Sequence, residues 1–284
     1  MKLNLLSYLA LFVALNATVF ASPATDRNTV CRYLPDNELW REDFLEAASN
    51  INQNEFNQIV KAGYEAYAPS AEARGEELII DSRWEDPTVN AYASRKNDLD
   101  KGKMVVTISM FGGLARRSEV NMEGFALVLC HELSHAYGGE PFARRDVEIS
   151  AEGQADYIAA KICLGKILPR IASSSDDLRT IENGSLKYIC DRLVTRNTFE
   201  HSLCQRKFSA GLSLGNFLSH SLKQIEPLYN TPDPFVAEQT LVSYPRTVQC
   251  RLDTYAAGFI GWQRPSCWFR GGSKNNPISD NFSY

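Results

Sequence analysis

The sequence has few histidines and no C-x-x-C pair, and beyond its N-terminus it has no apolar segment of membrane length. Only four of its 284 residues are histidine, and none of its seven cysteines stands in a C-x-x-C pair, so a thiolate zinc cluster is not expected. No internal repeat is visible, and after the N-terminus no apolar run is long enough to cross a bilayer. The net charge of −4 gives no reason to expect nucleic acid or an anionic membrane surface as a partner.

What is present is enough apolar sequence for a real core, preceded by an export signal. The chain is 44 % hydrophobic and 23 % charged, which suits one large domain or two small ones. Lys2 precedes an apolar run to residue 20, and Val19 and Ala21 occupy the −3 and −1 positions of a cut before Ser22. Residues 1–21 are therefore predicted to be a signal peptide, with an uncleaved N-terminal anchor as the alternative. The chain is expected to be periplasmic or secreted.

The cysteines are predicted to form disulfides, because all seven remain after removal of the signal and the chain is expected to be exported. Seven is an odd number, so at least one thiol is free or pairs between chains. Cys130 is the expected free thiol, because it lies in the apolar run FALVLC, where a small buried side chain fits. Proximity in the sequence suggests the pairs 190–204 and 250–267, although six cysteines allow fifteen connectivities in general.

Periodicity along the chain predicts an α+β fold, mostly helical with a small sheet. Helices are expected at about 41–67, up to the glycine pair at 138–139, from about 150 to 165 and over much of 175–230. Strands are expected at 78–83, 88–93 and 103–109, the last two as a hairpin. We divide the chain into a signal at 1–21, a helical region at 22–74, a main domain at 75–262 and an irregular tail at 263–284.

The segment LVLCHELSHAYGGEP places His131 and His135 four residues apart in a predicted helix. Residues at this spacing share a face, with Cβ atoms about 5–6 Å apart, so both imidazoles can bind one zinc ion. Glu132 is rotated by about 100° from His131, so it can face a water on the open side of the metal and act as a base. The alternative is a surface helix with two ordinary histidines.

Zinc needs a third protein ligand, and Glu152 is the best candidate downstream. Pro141 stands where a metzincin would have its third histidine, so that pattern fails. Glu152 and Asp156 lie one helical turn apart in EISAEGQADYIAA, so Asp156 can accept a proton from the far nitrogen of a ligand histidine. The other acidic residues between the two segments have no such partner one turn on: Glu140, Asp146 and Glu148.

These motifs resemble those of the gluzincin metallopeptidases that include the CAAX prenyl proteases, the HtpX-like proteases and the periplasmic quality-control proteases. That family's H-E-x-x-H followed by E-x-x-A-D is matched by HELSH and EGQAD. VNAYASRKNDLDKGKMVVTISMFGGL and SYPRTVQCRL are also similar to its segments, so the resemblance covers roughly residues 75–255. It implies a zincin-like fold and a zinc-dependent endopeptidase, with one zinc per chain.

The resemblance also implies roles for individual residues. His131, His135 and Glu152 correspond to the zinc ligands, Glu132 to the general base and Asp156 to the carboxylate behind a ligand histidine. Arg251 stands near the family's arginine position.

Tyr244 precedes a proline where many members have histidine, and its hydroxyl can donate a hydrogen bond to an oxyanion. The alternative is that Tyr244 only packs in a loop.

The expected substrate is an extended or unfolded polypeptide. We predict that the strand at 88–93 is the edge of the sheet beside the catalytic helix. Strand addition there would hold such a peptide on Asn90, Ala91 and Tyr92.

Two rival functions come from other classes. One is a secreted binding protein in which zinc only stabilises the fold. The other is a serine hydrolase, because GLSLG matches the G-x-S-x-G pattern around Ser213. That pattern requires a buried strand before the serine and a histidine far downstream, and the sequence predicts neither.

Overall fold

The computed structural model describes residues 30–39, 50–171, 184–275 and 278. The predicted signal peptide lies outside the described residues. Six strands are found in the described part: β1 (Val30–Arg32), β2 (Glu77–Arg83), β3 (Ala91–Asp98), β4 (Lys103–Phe111), β5 (Phe142–Arg144) and β6 (Ile149–Ser150). The α-helices are α1 (Gln53–Ala73), α2 (Gly112–Ala115), α3 (Met122–Tyr137), α4 (Glu152–Ile158), α5 (Leu164–Ile167), α6 (Gly184–Leu193), α7 (Phe199–Leu222) and α8 (Val248–Phe259). The fold is therefore α+β, with helices predominating.

Helix α1 begins at Gln53, within the stretch of 41–67 where helices are predicted. The side chain of Asn52 accepts hydrogen bonds from the backbone N–H groups of Asn54 and Glu55, and the Glu55 carboxylate accepts from the N–H of Asn52. This reciprocal capping box starts the helix at Gln53. Residues 41–49, the first part of the stretch where helices are predicted, lie outside the described residues.

Four strands form the main sheet in the order β1-β3-β4-β2. Strands β3 and β4 form the predicted antiparallel hairpin, while β2 runs parallel to β4. The alternating side chains of Val106, Ile108 and Met110 on β4 are fully buried and belong to the main core. This core lies between the sheet and α3, so the sheet supports one side of the helix that carries the HELSH motif.

The prediction that the strand around 88–93 is a sheet edge is wrong. Strand β3 lies between β4 and β1, and β1 pairs antiparallel with it: Cys31 lies opposite Ala93 and Arg32 opposite Tyr92. A three-residue strand is too short to show alternation, and it lies about 60 residues before β3 in the chain, so no local pattern predicts the pairing. The edge position at this side of the sheet is occupied by the chain's own N-terminal segment.

Helix α3 is the centre of the molecule. All of its residues from Met122 to Ala136 are buried, and it packs against α1, α4, α7 and the strands β3 and β4. Asn121 caps its first turn by accepting a hydrogen bond from the N–H of Gly124. Among the described residues, none of the helices has the length and apolarity needed to cross a membrane. The burial of α3 therefore places the HELSH side chains inside the protein.

The structure contains three disulfides, and the free thiol is not the one that the sequence predicts. Cys130 pairs with Cys163, so the prediction that Cys130 is free is wrong, and Cys31 is the free cysteine. Both paired residues are fully buried: α3 packs against the π-helical turn 159–163, which brings their Cα atoms within 5.5 Å. Burial in an apolar run was the reason for expecting a free thiol, but a disulfide inside the core gives the same pattern. The pairs suggested by proximity, 190–204 and 250–267, are both present.

Replacing both Cys130 and Cys163 by alanine should strongly destabilise the protein. The two residues are 33 positions apart, and closing a loop of that length stabilises a folded chain by about 3–4 kcal/mol in the chain-entropy model. Denaturant unfolding of the wild type and the double variant measures the difference. If non-reducing peptide mapping of the denatured wild type instead found Cys130 alkylated and Cys31 in a disulfide, the pairing described above would be wrong.

The described part of the tail, residues 263–275 and 278, is irregular but anchored. The disulfide from Cys267 ties it to Cys250 on α8, and Trp268 is fully buried. A Cβ atom on Gly153 would lie 2.3 Å from the Trp268 ring, so only glycine lets α4 approach the tail this closely. The tail therefore braces the helix that carries Glu152 and Asp156.

Candidate metal centre

The two histidines of the HELSH motif point their outer nitrogens at each other. Nε2 of His131 is 3.1 Å from Nε2 of His135, and both side chains are fully buried. This geometry follows from the helix, because residues four apart lie on the same face. Two imidazoles are thus within reach of one ion.

Glu152, the first residue of α4, is the third side chain at this place. Its carboxylate oxygens lie 3.4 Å from Nε2 of His131 and 3.7 Å from Nε2 of His135. The short antiparallel pair β5 and β6 returns the chain to α3 just before this residue. A carboxylate at the first position of a helix is also stabilised by the helix dipole.

The spacing of these atoms suits zinc. Two ligand atoms that are each about 2.0–2.1 Å from a tetrahedral zinc ion lie roughly 3.3 Å apart. The three separations here are 3.1, 3.4 and 3.7 Å. The side chains therefore need only small adjustments to bind one ion.

The tautomers of both histidines are determined by what lies behind them. Nδ1 of His135 is 2.9 Å from the carbonyl oxygen of Ser150, which only accepts, so this nitrogen donates. Nδ1 of His131 is 2.7 Å from Oδ1 of Asp156, and this carboxylate also accepts. Burial lowers the pKa of His131, but Asp156 outweighs this and raises the pKa to about 9, so Nε2 of His131 carries a proton that it can donate to Nε2 of His135. A metal ion between the two nitrogens would take the place of this proton, as expected for metal ligands whose far nitrogens are held by acceptors.

Asp156 is itself held by Arg251 on α8. The guanidinium donates to both carboxylate oxygens, from Nε to Oδ2 at 2.8 Å and from Nη2 to Oδ1 at 2.7 Å. Burial alone would raise the pKa of Asp156, but the charges of Arg251 and His131 hold that pKa well below its usual range. The carboxylate is therefore ionised and accepts the hydrogen bond from His131.

Glu132 lies beside this centre with no hydrogen-bond partner. Both of its carboxylate oxygens are buried, and neither has a partner within the part of the chain that the structure describes. Burial raises the pKa of Glu132 to about 8, and the nearby Glu152 carboxylate adds to the shift, while the charge of His131 opposes it. An unpartnered buried carboxylate costs about 1–3 kcal/mol or more, so its retention calls for an explanation at the site.

Sequence reasoning missed a fourth donor, Cys31 on β1. The Sγ atom of Cys31, a ring nitrogen of His135 and a carboxylate oxygen of Glu152 all lie within 4.8 Å of one another. The residue lies 100 positions before the HELSH motif, and its approach depends on the pairing of β1 with β3. The only sequence signal was the odd number of cysteines, which leaves one thiol outside the disulfides.

The remaining predicted residues lie along the same N-terminal segment. The Tyr244 hydroxyl donates a hydrogen bond to the carbonyl oxygen of Arg32 at 2.6 Å. Asn90 bonds to both backbone groups of Leu34, accepting from its N–H and donating to its carbonyl oxygen. The backbone contacts of Ala91 and Tyr92 are also made with this segment. The residues predicted to bind substrate therefore contact residues 32–34 of their own chain.

Ser213 occupies a different environment from that of a hydrolase nucleophile. It lies in the interior of α7, where its hydroxyl donates to the carbonyl oxygen of Glu119 and accepts from the N–H of Asn121. The glycines at 211 and 215 are also within the helix, so GLSLG forms no strand-to-helix turn. Its contacts join α7 to the start of α3.

Comparisons with known proteins identify no relative. No family model, no curated protein and no solved structure matches the chain. The interpretation of the centre therefore depends on its own geometry.

Proposed function

We propose that the chain is an exported zinc-dependent endopeptidase of the gluzincin type, with Glu132 as its general base. The observation that carries the proposal is the unpartnered, buried Glu132 carboxylate beside three metal-binding side chains at zinc spacing. His131, His135 and Glu152 would hold the ion. Zinc at this position would polarise a water molecule and stabilise the negative charge that develops on the substrate's carbonyl oxygen.

The side chains divide the remaining work of peptide-bond hydrolysis. Glu132 accepts a proton from the water as the water oxygen bonds to the carbonyl carbon of the substrate. The same carboxyl then returns that proton to the departing nitrogen as the C–N bond breaks. A buried carboxylate with no fixed hydrogen-bond partner among the described residues is free to accept and release this proton. Asp156, held by Arg251, keeps His131 in the tautomer that presents Nε2 to the metal.

Tyr244 completes the proposed site by donating to the substrate carbonyl. Its hydroxyl already donates to a peptide carbonyl in the structure, that of Arg32. A substrate in the same position would place its scissile carbonyl near this donor, where the bond strengthens as the oxygen becomes negative.

Tyr244→Phe should lower kcat by about 100 to 1,000-fold with a smaller effect on KM, because the lost hydrogen bond acts mainly in the transition state. Tyr244→His should recover part of the loss. Steady-state kinetics on one peptide at equal zinc content measures both variants. Tyr64→Phe is the matched control, because Tyr64 lies 46 % exposed on α1. Turnover of Tyr244→Phe within about threefold of the wild type, a change near 0.7 kcal/mol, would mean that the tyrosine only packs.

A secreted binding protein with a structural zinc site is the second candidate, and one observation favours it. Cys31 forms a possible metal-binding group with His135 and Glu152, and His131 adds a nitrogen close to the last two. Structural zinc sites are usually closed by four ligands that include cysteine. A structural site has no need of the buried Glu132 carboxylate, which is why we prefer the peptidase.

Chelation separates the two candidates. Removal of zinc from a peptidase should abolish cleavage of an unfolded protein while most far-ultraviolet circular dichroism remains, and restored zinc should restore cleavage. A structural site should lose its secondary structure on chelation and show no cleavage at any zinc concentration. The Cys31 thiol lies close to the metal-binding side chains and can limit the access of substrate to them. Both the wild type and Cys31→Ser are therefore measured.

A further inference from the structure

We infer that residues 30–34 form an internal inhibitory strand. This strand occupies the groove of the extended substrate and supplies Cys31 as a fourth ligand to the metal. The inference rests on the proposed function, because it names what blocks that same site. Three observations support it: the segment pairs with β3, the Tyr244 hydroxyl donates to its backbone, and the Cys31 thiol lies near His135 and Glu152.

The strand occupies the groove by ordinary strand addition. It runs antiparallel to β3, with Arg32 opposite Tyr92, and the N–H of Tyr33 donates to the carbonyl oxygen of Ala91 at 3.0 Å. The Asn90 side chain bonds to both backbone groups of Leu34. Backbone hydrogen bonds of this kind hold an extended peptide without reading its sequence closely. A substrate on β3 would need these same groups.

The proposed oxyanion donor is also engaged by this strand. The Tyr244 hydroxyl donates to the carbonyl of Arg32, the residue directly after Cys31. The chain therefore places a peptide carbonyl against Tyr244 and a sulfur atom near the metal ligands at once. Both positions are ones that a scissile peptide and its attacking water would occupy.

The thiol lies beside the ligands, and so does the ring of Tyr33, the residue directly after β1. Tyr33 lies against the centre: its ring is 5.2 Å from that of His131, centroid to centroid, and 4.5 Å from the Arg251 guanidinium. Cys31 lies beside the same centre, where its sulfur is within 4.8 Å of donor atoms of His135 and Glu152. It is the one cysteine outside the three disulfides.

The second half of the segment is anchored in the core, while Val30, Cys31 and Arg32 are only half-buried, so these three residues can leave the groove. Tyr33 and Leu34 are 0 % and 1 % exposed and belong to the main core. The Tyr33 hydroxyl is 3.2 Å from the hydroxyl of Tyr255. The backbone carbonyl oxygen of Tyr33 accepts a hydrogen bond from Arg251 at 3.1 Å. Deleting the segment would also damage the core, so the test uses a single substitution at Cys31 in the full chain.

Cobalt substitution tests the fourth ligand directly. Cobalt(II) bound to a thiolate has a near-ultraviolet charge-transfer absorption that nitrogen and oxygen ligands do not give. We expect this absorption in the wild type with one cobalt per chain, and we expect Cys31→Ser to bind cobalt without it. Val30→Ser, a neighbour on the opposite face of β1, should keep it. One cobalt per chain in the wild type without the absorption would overturn the inference alone. Failure of every chain to bind cobalt would overturn the proposed function and this inference with it.

Two further readouts test whether the thiol inhibits. Bound zinc should slow alkylation of Cys31, and chelation should restore the rate. Cys31→Ser should cleave a peptide at least ~10-fold faster than the wild type if fewer than one wild-type site in ten is open. Adding Glu132→Gln to Cys31→Ser should remove that gain. A cobalt–thiolate absorption in the wild type without faster cleavage by Cys31→Ser would overturn inhibition, because Cys31 would then be a permanent ligand.

Discussion

Glu132→Gln should retain zinc and lose several powers of ten in the rate of peptide hydrolysis. Glutamine has nearly the same shape, and His131, His135 and Glu152 remain to bind the ion. The amide cannot accept a proton from water, so the step that makes the nucleophile is lost. Zinc content by atomic emission and steady-state cleavage of one peptide, measured with and without Cys31→Ser, check both parts.

Glu148→Gln is the matched control for this change. Glu148 is an exposed carboxylate that pairs with Arg95 at 3.1 Å, so its loss should leave both zinc content and cleavage unchanged. If Glu132→Gln retained substantial peptidase activity at equal zinc content, Glu132 would not be the base and the proposed mechanism would be wrong.

Glu152→Ala should lower bound zinc well below one per chain. Its carboxylate lies within 3.4–3.7 Å of both imidazoles, and without it the two histidines and Cys31 remain as donors. Catalytic zinc sites usually hold the ion with three protein ligands, so loss of one should weaken binding severely. Metal content after dialysis against a weak chelator measures the effect.

Glu148→Ala tests the choice of carboxylate. Glu148 lies four positions before Glu152 and pairs with Arg95, so zinc should stay at one per chain when Glu148 is replaced. Loss of zinc from Glu148→Ala together with retention by Glu152→Ala would mean that a different carboxylate binds the metal.

Asp156→Asn should have a milder effect than Glu152→Ala, with a loss of about 10 to 100-fold in zinc affinity or activity, because Asp156 orients a ligand.

Local spacing was enough to predict the parts of the centre that lie within helices. Helix α3 places His131 and His135 together because they are four residues apart, and the same rule places Asp156 one turn after Glu152 on α4. The hairpin of β3 and β4 is also recognisable, because short runs that contain β-branched or aromatic residues flank the polar turn NDLDKGK. In each case the interacting residues are close in the sequence.

The rest of the centre depends on contacts between distant segments, which local patterns do not encode. Cys31 reaches the site through β1, which has three residues and no readable periodicity. Arg251 reaches Asp156 from 95 positions away, and the resemblance placed it only near the family's arginine position. Cys130 was misjudged for a related reason: burial in an apolar run is equally consistent with a thiol and with a disulfide to Cys163. Which cysteines form a disulfide depends on how distant segments of the chain pack together.

The most direct test of the central claim is to digest an unfolded protein in water enriched in heavy oxygen and to map the new ends by mass spectrometry. Zinc-loaded wild type, Cys31→Ser and Glu132→Gln in the Cys31→Ser background are compared, each also after chelation. The account predicts chelator-sensitive cuts by Cys31→Ser, each with one heavy oxygen in the new carboxyl terminus, and at most trace cutting when Glu132 is replaced. Zinc-loaded, folded chains that make no cuts, or cuts that persist in Glu132→Gln, would contradict it.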